Sequence, residues 1–197
     1  MSYPEYIENS STGRRFYRDA CEVDGVKHGG GYGVRSDGAA RHLEKLAEDH
    51  VKPHMIGLEV GCHTGISTEI FAKSCKRIYA IDLWPNNMIK LEDVFDFRTK
   101  NYNNIIKMKG DSDNFHEQFK EESLDFIYVD GGHAYERVVK DLRNWAPKVR
   151  MGGLIMGHDY SKGSSGWIEV AQAVDNTIGV PEILYKDNSF VIKKNDF

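Results

Sequence analysis

This 197-residue chain is short of several features, and each shortage removes a class of protein. It has three cysteines, Cys21, Cys62 and Cys75. Their odd number and lack of metal-ligand spacing argue against a disulfide framework and predict a cytoplasmic protein with reduced thiols. There is no cationic excess: Lys and Arg total 26 against 30 Asp and Glu, for a net charge of −4 with both signs mixed along the chain. A nucleic-acid binder usually carries a basic stripe, so that class is disfavoured. No apolar run approaches the length of a membrane span. The first residues, "MSYPEYIENS", lack the apolar core of a secretory signal. Internal repeats and low-complexity tracts are absent too. What is present is the composition of a globular domain, 40% hydrophobic and 28% charged. The length suffices for one domain with a real core.

Residues 1 to 35 read as irregular and polar. Their glycine cluster (Gly29, Gly30, Gly31 and Gly33) predicts a mobile loop and a candidate lid. A domain spanning 36 to 197 follows. "SDGAARHLEKLAEDH" predicts a helix capped by Ser36 or Asp37, with Ala39, Leu43, Leu46 and Ala47 on one face and Pro53 beyond its end. Strands and helices then alternate. "MIGLEV", "RIYAID", "IIKMKGD", "LDFIYVD" and "GGLIMGHD" predict five strands. Helices are expected after Gly65 through Phe71, from Asn87 to Tyr102, as a short piece from Phe115 to Glu121, over "YERVVKDLRNW", and over "GWIEVAQAVDNTIG" closed by Gly179. Val138, Val139, Leu142 and Trp145 stand at helical spacing and predict a core face. "PKVRMGG" reads as a turn, and "KVR" before Met151 as a solvated turn in preference to an anion site. "EILYKDNSFVIKK" predicts a hairpin around Asp187-Asn188-Ser189. Strands alternating with helices predict an α/β fold with a mostly parallel, Rossmann-like sheet covered on both faces and a C-terminal antiparallel β-hairpin. In such sheets ligands sit at the carboxyl ends of the strands, and every polar motif falls there.

The turn "LEVGCHTGIST" lacks the spacing G-x-G-x-x-G of a dinucleotide site and lacks a phosphate-cradling G-x-x-x-x-G-K-[ST]. It keeps Gly61 and Gly65. Asp82 follows Gly61 by 21 positions, a spacing that suits a carboxylate accepting both ribose hydroxyls of an adenosine-containing ligand. In "GDSDNF", Asp111 could accept the exocyclic amine of adenine, with the Ser112 amide facing a ring nitrogen. Each residue has a plainer alternative: Asp82 can simply start a turn, and Asp111 can cap the next helix.

Together "LEVGCHTGIST", "IYAIDLWP", "GDSDNF", "LDFIYVDGGHAYERVVKDLRNW" and "GGLIMGHDY" resemble class I S-adenosylmethionine-dependent methyltransferases. Within these, the chain looks like the small-molecule branch related to macrocin O-methyltransferase and cephalosporin hydroxylase-type proteins. The resemblance runs from Leu58 to Tyr160. It implies a seven-stranded sheet whose last two strands form the terminal hairpin. It also implies that S-adenosyl-L-methionine is the cofactor. Gly61, Cys62, Thr64, Gly65 and Ser67 would lie along its methionine part, Asp82 at the ribose, and Asp111 and Ser112 at the adenine. Glu59, Leu83 and Asp130 complete the expected cofactor set.

Asp130, His133, His158 and Asp159 close two strands that are neighbours in such a fold. Two hard oxygens suit magnesium, and added imidazole suits a transition metal. The resemblance implies a divalent cation (Mg2+ or similar) on Asp130 and Asp159. His158 joins them as a candidate ligand, although a second carboxylate is commoner at its position. His133 is the candidate catalytic base, with Asp130 and Asp159 beside it. Alternatively, His133 caps the helix that follows it or bonds a backbone carbonyl. Cys62 reads as a small loop residue and not a nucleophile, and His28, His54 and His116 receive no role.

The expected activity is O-methylation of a small hydroxylated acceptor (a sugar, phenol or natural product), with no nucleic-acid or membrane partner. Homo-oligomerisation stays open. Two rivals stand: a metal-dependent hydroxylase or hydrolase using His158 and Asp159, and a non-catalytic cofactor-binding protein.

Overall fold

Short apolar runs rich in β-branched residues become the inner strands of a seven-stranded sheet. In the computed structural model the described residues are 37–85, 91–163 and 167–195, the side chains of 37–39 excepted. The backbone of four short strands nearer the N-terminus is also described. These four are β1 (Ile7–Asn9), β2 (Arg14–Phe16), β3 (Glu22–Val23) and β4 (Val26–Lys27); β1 pairs with β2 and β3 with β4, both antiparallel. Two small ribbons thus occupy a region whose polar composition suggested no regular structure. The glycine cluster Gly29 to Gly33, expected as a lid, lies outside the described residues.

The main unit follows the expected alternation: α1 (Asp37–His50), β5 (Ile56–Val60), α2 (Ile66–Ser74), β6 (Arg77–Asp82), α3 (Leu91–Thr99), β7 (Ile105–Lys109), β8 (Leu124–Val129), α4 (Tyr135–Trp145), β9 (Val149–Gly157), α5 (Ile168–Thr177), β10 (Ile183–Leu184) and β11 (Phe190–Lys193). The strand order is β10-β11-β9-β8-β5-β6-β7. The pairs from β9 across to β7 are parallel. β11 runs antiparallel to both β9 and β10, so the hairpin places the reversed strand inside the sheet and leaves β10 at its edge. The expected fold class is therefore the observed one.

Period-2 alternation divides the strands between two cores. Leu58, Val60, Ile127, Val129 and Ile155 pack with Val138, Leu142 and Trp145 of α4 and Val170 and Val174 of α5. Ile78, Phe126, Tyr128 and Met156 pack with Leu43 and Leu46 of α1 and Ile70 and Phe71 of α2. Trp145 and Leu142 have no exposed surface, as the helical spacing predicted. Among the described residues, no helix is long and apolar enough to cross a membrane.

Two local expectations are corrected. The short helix expected from Phe115 to Glu121 is absent; two 3-10 turns, Ser112–Asn114 and His116–Gln118, replace it. The Asp111 carboxylate accepts the Asp113 N–H at 3.1 Å and so caps the first of these turns; the second has no side-chain cap. "KVR" is not a solvated turn. Lys148 ends a 3-10 turn, while Val149 begins β9 and is fully buried. Arg150 Nε lies 2.7 Å from Asp125 Oδ1. A register shift between Leu124 and Phe126 absorbs the extra residues of β9.

Candidate active site

Five strand ends, those of β5 to β9, carry the candidate residues at the carboxyl-terminal side of the sheet. The first turn leaves β5 at Gly61, whose φ of +90° is a conformation that L side chains rarely adopt. Its Cα faces the Asp130 carbonyl closely enough that a Cβ would overlap it. Gly65, at φ +82°, occupies the N-cap of α2. Glu59 is fully buried and accepts the hydroxyls of Ser67 and Thr68, so Glu59 and Ser67 are bonded to each other under the turn. Cys62 is 2% exposed and burial pushes its thiol well up, in keeping with a loop role and not a nucleophilic one. Arg98 Nε of α3 donates to the Thr64 carbonyl at 2.9 Å.

Asp82 ends β6 and holds this turn from the side. Its Oδ2 accepts the His63 N–H and its Oδ1 the Trp84 N–H, each at 2.8 Å. The buried Trp84 indole returns a bond to the His63 carbonyl at 2.7 Å. Leu83, between them, is 57% exposed and offers an apolar surface beside a carboxylate. Asp111, past β7, is held by the Asp113 amide and by Arg137 Nη1 at 3.0 Å. The backbone bond and the nearby guanidinium keep its carboxyl below the usual range, against a smaller effect of burial. Ser112 is 3% exposed, and its hydroxyl donates to the fully buried Asp141 at 2.6 Å.

The loops after β8 and β9 carry the second group. Asp130 N–H bonds the Val60 carbonyl at 2.8 Å, and His158 N–H bonds the Val129 carbonyl at 3.1 Å, so β5, β8 and β9 fix one another here. Asp159 takes a left-handed backbone, φ +62°. Its two oxygens face two histidines: Oδ2 lies 2.8 Å from His133 Nε2, and Oδ1 lies 3.0 Å from His158 Nδ1. Burial works to raise the Asp159 carboxyl, but the bonds from His133 and His158 outweigh it and hold the group well below the usual carboxylate range. His133 shifts upward because Asp159 stabilises its imidazolium, with burial opposing. The exposed Trp167 ring stacks on His133 at 4.3 Å between centroids.

Among the described residues, Asp130, His133 and Asp159 form a group whose possible ligand atoms lie within 4.8 Å of one another. His158 sits at the margin of the group, its Nδ1 3.7 Å from Asp130 Oδ1. A small pocket lined by Asp130, His133 and His158 above Val138, Leu142 and Val170 runs under the loop. Sequence reasoning brought the four acidic strand ends to this side of the sheet. It missed Trp84, Arg98, Arg137 and Asp141. Trp84 carried a signal inside "IYAIDLWP", and Arg137 and Asp141 carried one in their i,i+4 spacing on α4. Arg98 had none.

A mostly parallel sheet in this order, with a glycine turn after β5 and an acidic residue closing β6, is a Rossmann-like α/β domain. A family model described as a methyltransferase domain matches residues 58–160, just over half of the chain. The chain therefore belongs to the class I S-adenosylmethionine-dependent methyltransferase family. A curated relative, a probable cobalt-precorrin-6B C(15)-methyltransferase (decarboxylating) from Archaeoglobus fulgidus, is 27% identical over 88 residues, covering 45% of this chain and 48% of that protein. The chain thus spans about half the length of the curated relative it matches. Among solved structures, precorrin 8W decarboxylase from Methanobacterium thermoautotrophicum superposes with a TM-score of 0.60 at 18% identity, over 90% of this chain and 92% of that one. The N-methyltransferase NodS from Bradyrhizobium japonicum, in complex with S-adenosyl-L-homocysteine, gives 0.53 at 23% identity, over 70% and 71%.

Proposed function

We propose that this protein transfers the methyl group of S-adenosylmethionine to a hydroxyl of a small acceptor, such as a sugar, a phenol or a natural-product scaffold, with a divalent cation assisting. The observation that carries this reading is the convergence of Asp130, His133 and Asp159, with the Asp130 backbone packed against the Gly61 turn. Proton-accepting groups thereby adjoin the turn expected to hold the methyl donor.

When bound, S-adenosylmethionine supplies an electrophilic methyl carbon on a sulfonium sulfur. The chain must add orientation and proton removal. Asp82 is fixed by two backbone N–H groups, and an ionised carboxylate still keeps lone pairs for two ribose hydroxyls. Leu83 lies exposed beside it to cover an apolar ring face. Asp130 and Asp159 offer hard oxygens and His158 beside them offers nitrogen, a donor set that fits a divalent ion and leaves His133 for the acceptor. Such an ion would stabilise negative charge on the acceptor oxygen. His133 is 34% exposed against 17% for His158, so His133 is the one placed to meet an acceptor and take its proton. Asp159 strengthens that base by stabilising the imidazolium that forms.

The test is transfer of a labelled methyl group from S-adenosylmethionine to a panel of hydroxylated acceptors, with and without a chelator. Transfer that falls on chelation and recovers with added ion is expected. Equal transfer in chelator removes the metal from the reading, and cofactor binding without consumption favours a non-catalytic binding protein. The name of the curated relative favours a second reading, methylation of carbon in a corrin precursor, which needs no hydroxyl base. Chelator-insensitive transfer to such a substrate, unaffected by His133→Ala, would select it.

A further inference from the structure

The acidic loop after β7 and the glycine loop after β8 are joined by one cluster on α4. Arg137 is its centre. Its Nε and Nη2 bond the two oxygens of Asp141 at 3.0 and 2.9 Å, a two-pronged pairing one helical turn away. Nη2 also donates to the Ser112 hydroxyl, and Nη1 reaches Asp111 Oδ1 at 3.0 Å and Asp113 Oδ2 at 3.2 Å. The Ser112 hydroxyl completes a triangle by donating to Asp141 at 2.6 Å. Lys140 shares Asp113 Oδ2 with Arg137 at 2.6 Å, and Asn144 donates to the other oxygen, Oδ1, at 3.0 Å. One helix therefore grips three consecutive loop residues.

The same two side chains rest on the loop that carries Asp130 and His133. A Cβ on Gly132 would lie 3.0 Å from Arg137 Cγ, and one on Gly131 3.7 Å from Asp141 Oδ2. A side chain at Gly132 would press on Arg137, whereas one at Gly131 would meet Asp141 at ordinary contact distance.

Asp141 is fully buried, and burying a carboxylate is costly unless it is paired and hydrogen-bonded. Buried ion pairs are often replaceable by apolar residues without loss of stability, so stability alone is a weak account of this one. Its geometric effect is definite. The contacts to Asp111 among the described residues fall on Oδ1, and the side chain stays 37% exposed with Oδ2 outside these bonds.

We propose that Arg137 and Asp141 are positioning residues that set Asp111 and Ser112 to read the exocyclic amine of the cofactor's adenine. The inference rests on the S-adenosylmethionine reading and names the source of its base specificity. Without the brace, Asp111 would keep, among the described residues, only the Asp113 N–H to hold it, and its aim at the amine, which tells an amine from a carbonyl oxygen, would loosen.

The experiment compares two ligands by calorimetry on the intact protein: S-adenosylhomocysteine and S-inosylhomocysteine, which carries oxygen in place of the amine. The wild type should prefer the adenosyl ligand by about tenfold or more, as expected for a hydrogen bond to a charged acceptor. Arg137→Lys keeps the charge but loses the planar fork. It should weaken the adenosyl ligand by about tenfold and bring the preference close to unity. Asn144→Ala, which loosens only Asp113, should keep the preference. A merely structural role for Arg137 would lower both affinities together; a preference retained in Arg137→Lys overturns the inference and leaves the cofactor reading intact. Should that variant fail to fold by circular dichroism, Ser112→Ala removes only the bridging hydroxyl and is read by the same ratio. A wild type that binds both ligands equally overturns the adenine assignment and the brace with it. A wild type that binds neither overturns the S-adenosylmethionine reading itself.

Discussion

Replacing Gly61 by alanine tests the junction on which the whole site is built. Two costs add. The φ of +90° places an L side chain in the left-handed region, at about 1–2 kcal/mol. The new Cβ would overlap the Asp130 carbonyl oxygen and lie 2.7 Å from Gly131 Cα. These are backbone atoms, so no side chain can swing away and the loop itself must move. Overpacking of that kind costs about 1–3 kcal/mol. The movement would strain two bonds that tie the strand ends together, Gly61 N–H to the Ile81 carbonyl and Asp130 N–H to the Val60 carbonyl, each 2.8 Å. The expected total is about 2–5 kcal/mol, a large share of the ~5–15 kcal/mol typical of a folded domain. Urea unfolding followed by circular dichroism should show this loss at an unchanged denaturant slope. Calorimetry at a temperature where the variant is still folded should show divalent-ion affinity reduced by about tenfold or more, because Asp130 has moved. A loss below about 1 kcal/mol with ion and cofactor binding intact would refute the claim that the two loops are in forced contact.

Three further outcomes are expected. Asp82→Ala should lower S-adenosylhomocysteine affinity by at least about tenfold, since charge-assisted bonds are each worth about 1.5–3 kcal/mol; undiminished affinity in a folded variant would remove the ribose assignment. The Asp159 carboxyl is held low and His133 is raised, so the two contributions to stability have opposite edges. That of Asp159 is present above its unfolded pKa of about 3.9 and is lost as pH falls through the depressed folded value. That of His133 is complete below about pH 6.5 and is lost as pH rises through its raised folded value. Urea unfolding of wild type and Asp159→Asn should therefore differ most between about pH 4 and 6.5, asparagine being tolerant of the left-handed backbone there; a difference that grows steadily above that window would contradict the pairing. Burial pushes the Cys75 thiol up to about 11 and the Cys62 thiol higher than a free one. Mass mapping after brief alkylation near neutral pH should find both protected in the native protein and labelled after unfolding, and prompt native labelling of Cys62 would show that the turn opens.

Local chemistry determined much of this protein from its sequence. Apolar runs bounded by glycine and proline specified the five parallel strands, and the spacing of Val138, Leu142 and Trp145 specified the buried face of α4, because periodicity and burial are set by neighbours along the chain. The same logic placed Asp82, Asp111, Asp130 and Asp159 at strand ends and hence at one side of the sheet. Tertiary structure decided how those groups are engaged. Whether Glu59 meets a ligand or the hydroxyls of Ser67 and Thr68, which imidazole shares Asp159, and that Arg137 holds Asp111 all depend on atoms brought together from distant elements. Such pairings leave no periodic trace in one sequence. The first 3-10 turn after Asp111 was hidden for a related reason: a single side chain to backbone bond fixes it, and nothing periodic announces that bond. Nor could strand periodicity reveal that β11 lies between β9 and β10, since alternation sets which face a residue takes and not which strand is its neighbour.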